Sequence, residues 1–239
     1  MAADGPVLVV VPTYNERENL RPLTEQVLAE VPQATILVVD DGSPDGTGAL
    51  ADELAAKDNR IAVLHRPGKL GLGTAYVAGF RYGLARQFQY FFELDADFSH
   101  DPRYLGPMLA RARRGADLVL GSRYVTDGGT ANWGLARQVI SRGGNLYARA
   151  ILGVPIHDLT SGFKCLSRRV LESIDLATLR SEGYSFQIEV TYRALKRGFR
   201  IEEHPIVFVD RRVGQSKMSR KIVGEAMLMV WRLRLGRAA

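Results

Sequence analysis

Short apolar runs alternate with amphipathic segments through the first 125 residues, and this alternation is the strongest constraint on the fold. A typical amphipathic segment is 17–31, where Leu20, Leu23 and Val27 recur at helical spacing. The apolar runs, which predict strands buried on both faces, are 7–12, 36–39, 61–64, 90–94 and 118–120. Repeated strand–helix–strand units with short connections predict an α/β fold, with a mostly parallel Rossmann-like sheet and helices on both faces.

The regular alternation fades after about residue 125. Helical patterns cover 137–152, 184–197 and 219–235, and two further strands are predicted at 163–166 and 206–209. No internal repeat or linker divides the chain. We therefore expect one domain over residues 1–210, followed by a basic segment and an amphipathic helix over 211–239.

Charge is concentrated at the carboxyl terminus. Residues 211–239 contain eight basic residues and one acidic residue, whereas the whole chain has a net charge of only +6. A basic tail on a near-neutral body indicates a polyanionic partner, such as anionic lipid, a phosphorylated substrate or nucleic acid. We expect no signal peptide, because no basic patch precedes an apolar stretch at the amino terminus, and no spanning helix, because no run approaches ~20 apolar residues. With one cysteine and no Cys/His cluster, neither a disulfide nor a zinc site is expected.

Polar motifs follow three of the predicted strands. Residues 12–16 (Pro-Thr-Tyr-Asn-Glu) follow the first, Asp40 and Asp41 follow the second, and Asp95-Ala96-Asp97 follows the fourth. Any one acid in such a position is usually a helix cap. Because the carboxyl ends of parallel strands meet at one edge of the sheet, three such motifs together favour a ligand site.

The Asp95-Ala96-Asp97 motif has the clearest chemistry. Two carboxylates placed directly after a buried strand can hold a hard divalent cation together with a diphosphate. Gly71-Leu72-Gly73 lacks the third glycine of a dinucleotide fingerprint, and no P-loop is present. These patterns favour a site for a divalent cation and a nucleoside diphosphate over a nicotinamide, flavin or P-loop site.

Several segments together resemble a known family. Residues 11–16, 38–45 and 95–97 resemble the inverting family 2 glycosyltransferases with the GT-A fold. Residues 69–76, 121–124, 160–163 and 214–218 narrow the resemblance to polyprenol (dolichol) monophosphate mannose synthases. The resemblance covers nearly the whole chain, from about Val7 to the final helix.

The resemblance implies transfer of mannose from GDP-mannose to a polyprenyl phosphate with inversion, giving a β-mannosyl phosphate and GDP, with Mg²⁺ or Mn²⁺. The implied donor-binding residues are Pro12, Tyr14, Glu16, Val39, Asp41, Asp95, Ala96, Asp97, Arg211 and Lys217. The implied acceptor-phosphate residues are Arg123, Arg137, Ser141 and Arg211, and the implied catalytic residues are Asp95, Asp97, Arg123 and Arg211. The implied metal site is Asp95, Asp97 and Ser99, where archaeal relatives carry Gln in place of Ser99.

The residue types fit this chemistry independently. A phosphate acceptor is already an oxyanion at neutral pH, so it needs positioning and charge neutralisation rather than a general base. Arginine suits that task because its guanidinium fork binds phosphate in a bidentate manner. The four histidines are scattered along the sequence and are expected to be structural.

Three alternatives stay open from the sequence. The same reaction could use UDP-glucose or another UDP-sugar, because few contacts read the base. A nucleic-acid-binding module is disfavoured because the basic tail lacks interleaved stacking aromatics. An inactive scaffold is disfavoured by the intact acidic pair.

The expected location is the cytoplasmic face of a membrane, held peripherally by 137–152 and 219–235. The predicted apolar face of the second segment consists of Ile222, Val223, Ala226, Met229, Val230 and Leu233, with Trp231 at the interface. The alternatives are that this helix packs on the domain as core, and that a separate membrane-anchoring protein supplies the attachment.

Overall fold

A seven-stranded sheet forms the centre of the computed structural model, which describes residues 5–179, 181, 183–210 and 220–235, with side chains from Met227 onward in the last range. Its strands are β1 (Val7–Thr13), β2 (Ala34–Asp40), β3 (Ile61–His65), β4 (Tyr90–Glu93), β5 (Leu118–Ser122), β7 (Lys164–Ser167) and β8 (Ile201–Pro205). Their order across the sheet is β3-β2-β1-β4-β7-β5-β8. Every strand is parallel to its neighbours except β7, which is antiparallel to both β4 and β5.

Helices cover both faces of the sheet. They are α1 (Arg17–Glu30), α2 (Thr47–Lys57), α3 (Leu72–Leu84), α4 (Leu105–Arg113), α5 (Leu135–Leu152), α6 (Arg168–Ser173), α7 (Gly183–Lys196) and α8 (Arg220–Arg234). A separate two-stranded parallel sheet pairs β6 (Gly129–Ala131) with β9 (Val207–Val209). The predicted α/β class, a mostly parallel GT-A-type sheet with helices on both faces, is confirmed.

Two cores lie on opposite sides of the sheet, and β1 contributes to both. Val7, Val9 and Val11 face the core covered by α1, α2 and α4, whereas Leu8 and Val10 face the core covered by α3 and α5–α8. This alternation explains the continuous apolar run, since both faces of a central parallel strand are buried.

Helix α3 lies unusually close to the sheet because glycines face the strands. A Cβ on Gly79 would lie 2.4 Å from Val10, and one on Gly83 would lie 2.3 Å from Phe91. Real Cβ contacts are not this short, so a side chain at either position would push the helix away. The close packing fixes the position of Tyr76 on the same helix.

The carboxyl-terminal half contains elements that the sequence patterns did not predict. Strand β8 reads Ile-Glu-Glu-His-Pro and is half-buried, so it has no apolar run. Strand β6 is three residues long, and α6 is six residues long, too short for a helical period to be visible. The two strands are held by pairing with distant segments, β8 with β5 and β6 with β9, rather than by a local pattern.

Helix α8 presents a different face from the predicted one. Val230 and Leu233 are buried in the core and Met229 packs against it, so these three residues do not form an exposed apolar face. Among the side chains that the structure describes from Met227 to Leu235, the exposed apolar ones are Met227, Leu228, Trp231 and Leu235. The other predicted residues of the face, Ile222, Val223 and Ala226, lie outside the described side chains. Within the part of the chain that the structure describes, no helix combines the length and apolarity needed to cross a bilayer.

Candidate active site

A cavity of about 340 Å³ opens at the carboxyl ends of β1, β2 and β4. β1 pairs with β2 on one side and β4 on the other, so the three predicted strand-end motifs meet there. Ten of the predicted site residues line this cavity: Pro12, Tyr14, Glu16, Asp41, Asp95, Ala96, Asp97, Ser99, Arg123 and Arg137. The edge predicted from the strand pattern is therefore the edge at which the cavity lies.

The two carboxylates of the Asp-x-Asp motif are held by neighbouring groups. The hydroxyl of Tyr76 donates to Asp95 Oδ1 at 3.1 Å. Burial, followed by the negative charge of Asp95, raises the pKa of Tyr76 well above its ordinary value, so the hydroxyl stays a neutral donor. Asp97 Oδ1 accepts from the backbone N–H of Ser99 at 3.0 Å, across Phe98, whose φ is 61°. A non-glycine residue in this conformation is uncommon, and here it closes the turn that orients Asp97.

One wall of the cavity is built around Asp41. The Arg66 guanidinium donates to both of its carboxylate oxygens, at 2.6 and 2.8 Å, and Leu70 N donates to Oδ2 at 3.2 Å. Arg66 also donates to Gly71 O and to Thr74 Oγ1. Asp41 is therefore engaged in fixing the segment after β3 against the end of β2. Fewer of the hydrogen-bond-accepting positions of the Asp41 carboxylate are therefore left for a ligand than the sequence suggested.

An aromatic ring and a lysine lie beside that segment. The Lys69 ammonium lies 4.6 Å from the centre of the Tyr14 ring, and both residues line the cavity. The loop carrying Tyr14 is fixed to the next loop, because Asn15 N donates to Ser43 Oγ and Glu16 N donates to Thr47 Oγ1. A flat ring on an anchored loop is suited to pack against a planar base.

The opposite wall contains Arg123 in a buried ion pair. Its Nε and Nη2 donate to the two Asp158 oxygens at 2.7 Å each, and Nη2 also donates to Thr160 Oγ1. Burial alone would lower the pKa of Arg123, but the Asp158 carboxylate and its hydrogen bonds raise it above the ordinary value. Of the three guanidinium nitrogens of Arg123, Nη1 alone makes no hydrogen bond to a described residue. Nη1 is therefore the nitrogen that is available to a phosphate.

Arg137 and Trp133 extend this wall. Arg137 donates to Asp210 Oδ2 at 2.8 Å and its guanidinium lies 4.1 Å from the centre of the Trp133 ring. The indole Nε1 of Trp133 is buried and has no hydrogen-bond partner among the described residues. A buried donor without a partner in the wall of a cavity is suited to a ligand oxygen.

Beneath the cavity, β4 and β7 bring two buried charges together. Lys164 is paired in register with Glu93, and its Nζ lies 3.5 Å from Glu93 Oε2. Lys164 also donates to the side chain and backbone carbonyl of Gln187, which lines the cavity. Burial raises the pKa of Glu93 and lowers that of Lys164, so both shifts favour the neutral forms.

Four predicted site residues are not among those lining the cavity. Val39 is buried within β2 and its side chain packs in the core. Ser141 lies on α5 and its hydroxyl accepts from the Tyr124 hydroxyl at 2.7 Å. Arg211 and Lys217 lie outside the described residues.

His100 is the one of the four histidines that the structure places at the cavity. It is buried, it lines the cavity, and its Nδ1 lies 3.8 Å from Asp95 Oδ2. Burial, the largest effect, lowers its pKa to about 4. Its position five residues after Asp95 was the available signal. The other three histidines contact Asp52, Glu203 and Arg111 away from the cavity.

Further lining residues were not predicted as site residues. Trp133 precedes α5, Tyr184 and Gln187 begin α7, and Phe208 lies in β9. The sequence patterns predicted a helix over 184–197 and a strand over 206–209, but they did not indicate that these side chains reach the cavity.

A Rossmann-like sheet with an acidic pair after β4 and an arginine-bearing opposite wall is the arrangement of a nucleotide-sugar transferase. The sequence profile of glycosyl transferase family 2 matches residues 8–175, and the chain belongs to that family. It is 52% identical to a polyprenol monophosphomannose synthase of Mycolicibacterium smegmatis, over 95% of this chain and 87% of the relative. It is 51% identical to an undecaprenyl-phosphate mannosyltransferase of Micrococcus luteus, over 95% of this chain and 93% of that protein.

Solved structures share the fold at low sequence identity. Glucosyl-3-phosphoglycerate synthase of Mycobacterium tuberculosis, solved with Mn²⁺, uridine-diphosphate and glucosyl-3-phosphoglycerate, superposes with a TM-score of 0.67 at 20% identity, covering 98% of this chain and 80% of its own. A mannosyltransferase of Pyrobaculum calidifontis, solved with GDP-Man and Mn²⁺, gives a TM-score of 0.58 at 16% identity, with 97% and 72% coverage. At these identities the likeness concerns the fold alone.

Proposed function

We propose that this chain transfers mannose from GDP-mannose to a polyprenyl phosphate, with inversion at the anomeric carbon. The observation that carries the proposal is the cavity that joins the Asp95–Asp97 pair to an aromatic wall on one side and an arginine wall on the other. The names of the two relatives above 50% identity support the acceptor class and the sugar. The choice of GDP rests on the sequence resemblance.

The donor is proposed to lie between the two walls. Its base would pack near Tyr14 and Lys69, and its diphosphate would extend towards Asp95 and Asp97. Tyr76 and the Ser99 N–H hold these two carboxylates in place, so their oxygens are oriented before a ligand arrives. Preorganised groups lose little freedom on binding, which favours the transition state.

A divalent cation, Mg²⁺ or Mn²⁺, fits the acidic pair. Carboxylate oxygens are the ligands that such hard cations prefer. Among the described residues, no group of three acidic, histidine or cysteine side chains forms a complete metal site. Asp95 and Asp97 would therefore hold the ion jointly with the donor diphosphate, and Ser99, which also lines the cavity, is retained as a proposed ligand. When bound, the ion would neutralise charge on the departing diphosphate.

The acceptor phosphate is proposed to enter from the arginine wall. One of its oxygens forms a bond to the anomeric carbon as the bond from that carbon to the diphosphate breaks, and GDP leaves with the electron pair. No protein nucleophile is needed, so one displacement inverts the centre. Arg123 Nη1, Arg137 and the Trp133 N–H are the nearby donors, and Arg211, Lys217 and Ser141 stay proposed as further contacts.

A long isoprenoid chain requires the cavity to approach a membrane surface. Helices α5 and α8 pack together, with the Tyr147 hydroxyl donating to Met227 O at 3.4 Å. The two helices expose apolar residues that we name the α5–α8 face: Leu135, Val139, Ile140, Leu146, Met227, Leu228, Trp231 and Leu235. We propose that this face attaches peripherally to the cytoplasmic face of a membrane. A separate membrane-anchoring protein is the alternative.

Transfer is tested with purified protein, polyprenyl phosphate and three labelled donors: GDP-mannose, UDP-glucose and UDP-N-acetylglucosamine. We expect a lipid-linked product from GDP-mannose alone, lost in excess chelator and restored by Mg²⁺ or Mn²⁺, with a β anomeric configuration by NMR. A product from a UDP-sugar alone would show that the donor is that UDP-sugar and not GDP-mannose. An α-linked product would contradict a single displacement.

Attachment is tested by liposome flotation. We expect binding to anionic vesicles that weakens with salt and is reduced in Trp231→Glu. Ala56→Glu, on the exposed side of α2, adds the same charge elsewhere and should float like wild type. Protein that stays unbound at low salt would point to the separate anchoring partner instead.

A further inference from the structure

A second cleft, of about 360 Å³, adjoins the wall that contains Arg123. One side is α5, which contributes Arg142, Asn145, Leu146 and Arg149. The other side is the segment that follows β5, with Tyr124 as its aromatic residue. Among the described residues, none of the predicted donor or metal residues lines this cleft, whereas Arg123, a predicted acceptor-phosphate residue, lines both this cleft and the cavity.

The cleft carries positive charge that the described residues do not balance. Arg142 and Arg149 are seven residues apart on one helix, so they lie on the same face about 10 Å apart along its axis. Neither makes an ion pair with a described residue, and no described acidic residue lines the cleft. The other two basic side chains of the cleft already have partners, Arg123 with Asp158 and His157 with Glu203.

Arg149 supplies the second observation. Its Nε is buried and has no hydrogen-bond partner among the described residues. A buried donor left unsatisfied is costly, and an anionic oxygen would satisfy it strongly. Two guanidinium groups that line the same side of one cleft are suited to a phosphate group, which accepts several N–H donors at once.

The residues around the cleft indicate which kind of phosphate fits. Positions 135, 139, 142, 146 and 149 follow one helical stripe, so Leu135, Val139 and Leu146 alternate with the two arginines. Leu135, Val139 and Leu146 are all exposed. A ligand with a phosphate at one end and an apolar chain at the other matches this stripe.

We propose that the cleft binds the phosphodiester headgroup of an anionic membrane glycerophospholipid, at a site separate from the one that takes the acceptor phosphate. The phosphate lies between Arg142 and Arg149, and the acyl chain runs along Leu146 and Val139. This site goes beyond the transfer reaction, because it involves a lipid that is neither donor nor acceptor. It would orient the α5–α8 face on an anionic bilayer.

The test uses the full chain and a phospholipid below its micelle concentration, so that no membrane surface is present. Dihexanoyl phosphatidylglycerol is titrated by calorimetry, with dihexanoyl phosphatidylcholine and inorganic phosphate as separate arms. We expect saturable one-to-one binding of phosphatidylglycerol, much weaker binding of phosphatidylcholine, and affinity reduced about tenfold or more in Arg142→Gln/Arg149→Gln, because charge-assisted hydrogen bonds are lost. Arg81→Gln/Arg86→Gln, two exposed arginines at the end of α3 and just beyond it, is the matched control and should bind like wild type.

Three results would overturn the proposal. Equal affinity in the Arg142→Gln/Arg149→Gln variant would remove the cleft as the site. Inorganic phosphate binding as tightly as phosphatidylglycerol would make it a free-phosphate site. A loss of mannosyl transfer to polyprenyl phosphate in detergent, in proportion to the loss of phosphatidylglycerol binding, would assign the cleft to the acceptor. Because the titration needs no turnover, failure of the proposed transfer reaction would leave its result unaffected.

Discussion

The two proposed walls of the cavity are built in different ways. The donor wall is the proposed donor side, with Tyr14, Asp41, Asp95 and Asp97, and the acceptor wall is the proposed acceptor side, with Arg123 and Arg137. The donor wall follows β1, β2 and β4, where each functional residue comes directly after a regular strand. The acceptor wall depends on pairs between distant and irregular segments, such as Arg123 with Asp158 and Arg137 with Asp210. Regular parallel strands place ligand-binding residues at a position that follows from topology alone. In a wall assembled from long-range ion pairs, the same side chains must instead both stabilise the fold and bind the ligand.

The largest expected effect lies on the donor wall. Asp97→Ala should lower turnover on the order of 10³-fold, because the charge stabilisation supplied through the acidic pair is worth several kcal/mol. Its melting temperature should stay near that of wild type, since Asp97 lies in a turn and accepts from the backbone N–H of Ser99, two residues away. Asp101→Ala, four residues further on and half-exposed, is the control and should keep most activity. Substantial turnover by Asp97→Ala in chelator would refute the metal role.

The next effect tests whether the acceptor wall couples binding to stability. Arg123→Ala should lower turnover about 10²-fold and also destabilise the protein by about 3–5 kcal/mol, because Asp158 would remain buried without its partner. Urea denaturation and steady-state kinetics measure the two effects separately.

A double variant separates the two roles of Arg123. Arg123→Ala/Asp158→Asn removes the unpaired charge, so it should recover much of the stability while turnover stays low. If turnover recovered with stability, Arg123 would be a structural residue only. That result would break the distinction between the two walls.

A smaller effect is expected from Arg66, which has a supporting role on the donor wall. Arg66→Ala should raise the donor KM about tenfold with little change in kcat, because the segment fixed to Asp41 would lose its anchor. Arg60 lies just before β3, whereas Arg66 lies just after it. The control Arg60→Ala removes a surface ion pair with Asp58 and should leave the donor KM unchanged. A large fall in kcat would mean that Asp41 and Arg66 act on the reacting groups.

The smallest effect is expected on the chemical labelling of Cys165, which lies in β7, the strand that joins the two halves of the sheet. The thiol is fully buried, and burial raises its pKa, so the reactive thiolate is scarce at pH 8. We expect no labelling by a maleimide reagent in the folded protein and complete labelling in urea. Labelling of the folded protein at the unfolded rate would show that β7 detaches from its neighbours.

Much of the fold and the donor wall was predictable from the sequence, because both depend on local patterns. The run at Val7–Thr13 and the acids after β2 and β4 are visible as strand and turn signals. The acceptor wall was predictable only where the family resemblance named a residue, as for Arg123 and Arg137. The placement of Trp133 and Phe208 at the cavity was not predictable, because it depends on the pairing of β6 with β9, two three-residue strands far apart in sequence, and on the contact between the two rings.

The ion-pair partners of Arg123 and Asp41 also could not be predicted from the sequence. Sequence patterns indicate that an arginine or an aspartate is present, but they do not indicate how much of its hydrogen-bonding capacity the protein itself uses. The same limit applies to α8, where the helical period marked an apolar stripe without showing that Val230 and Leu233 face the core.

The reversed direction of β7 has a consequence for how the chain tolerates insertions. For β1, β2 and β4, extra residues after the strand would enter the cavity, whereas extra residues before it would fall on the far edge of the sheet. For β7 the cavity lies at the beginning of the strand and not at its end, because Thr160, Ser161 and Gly162 line the cavity just before β7 begins. Lengthening the chain ahead of Lys164 would therefore change ligand recognition, and lengthening it after Ser167 would leave recognition untouched.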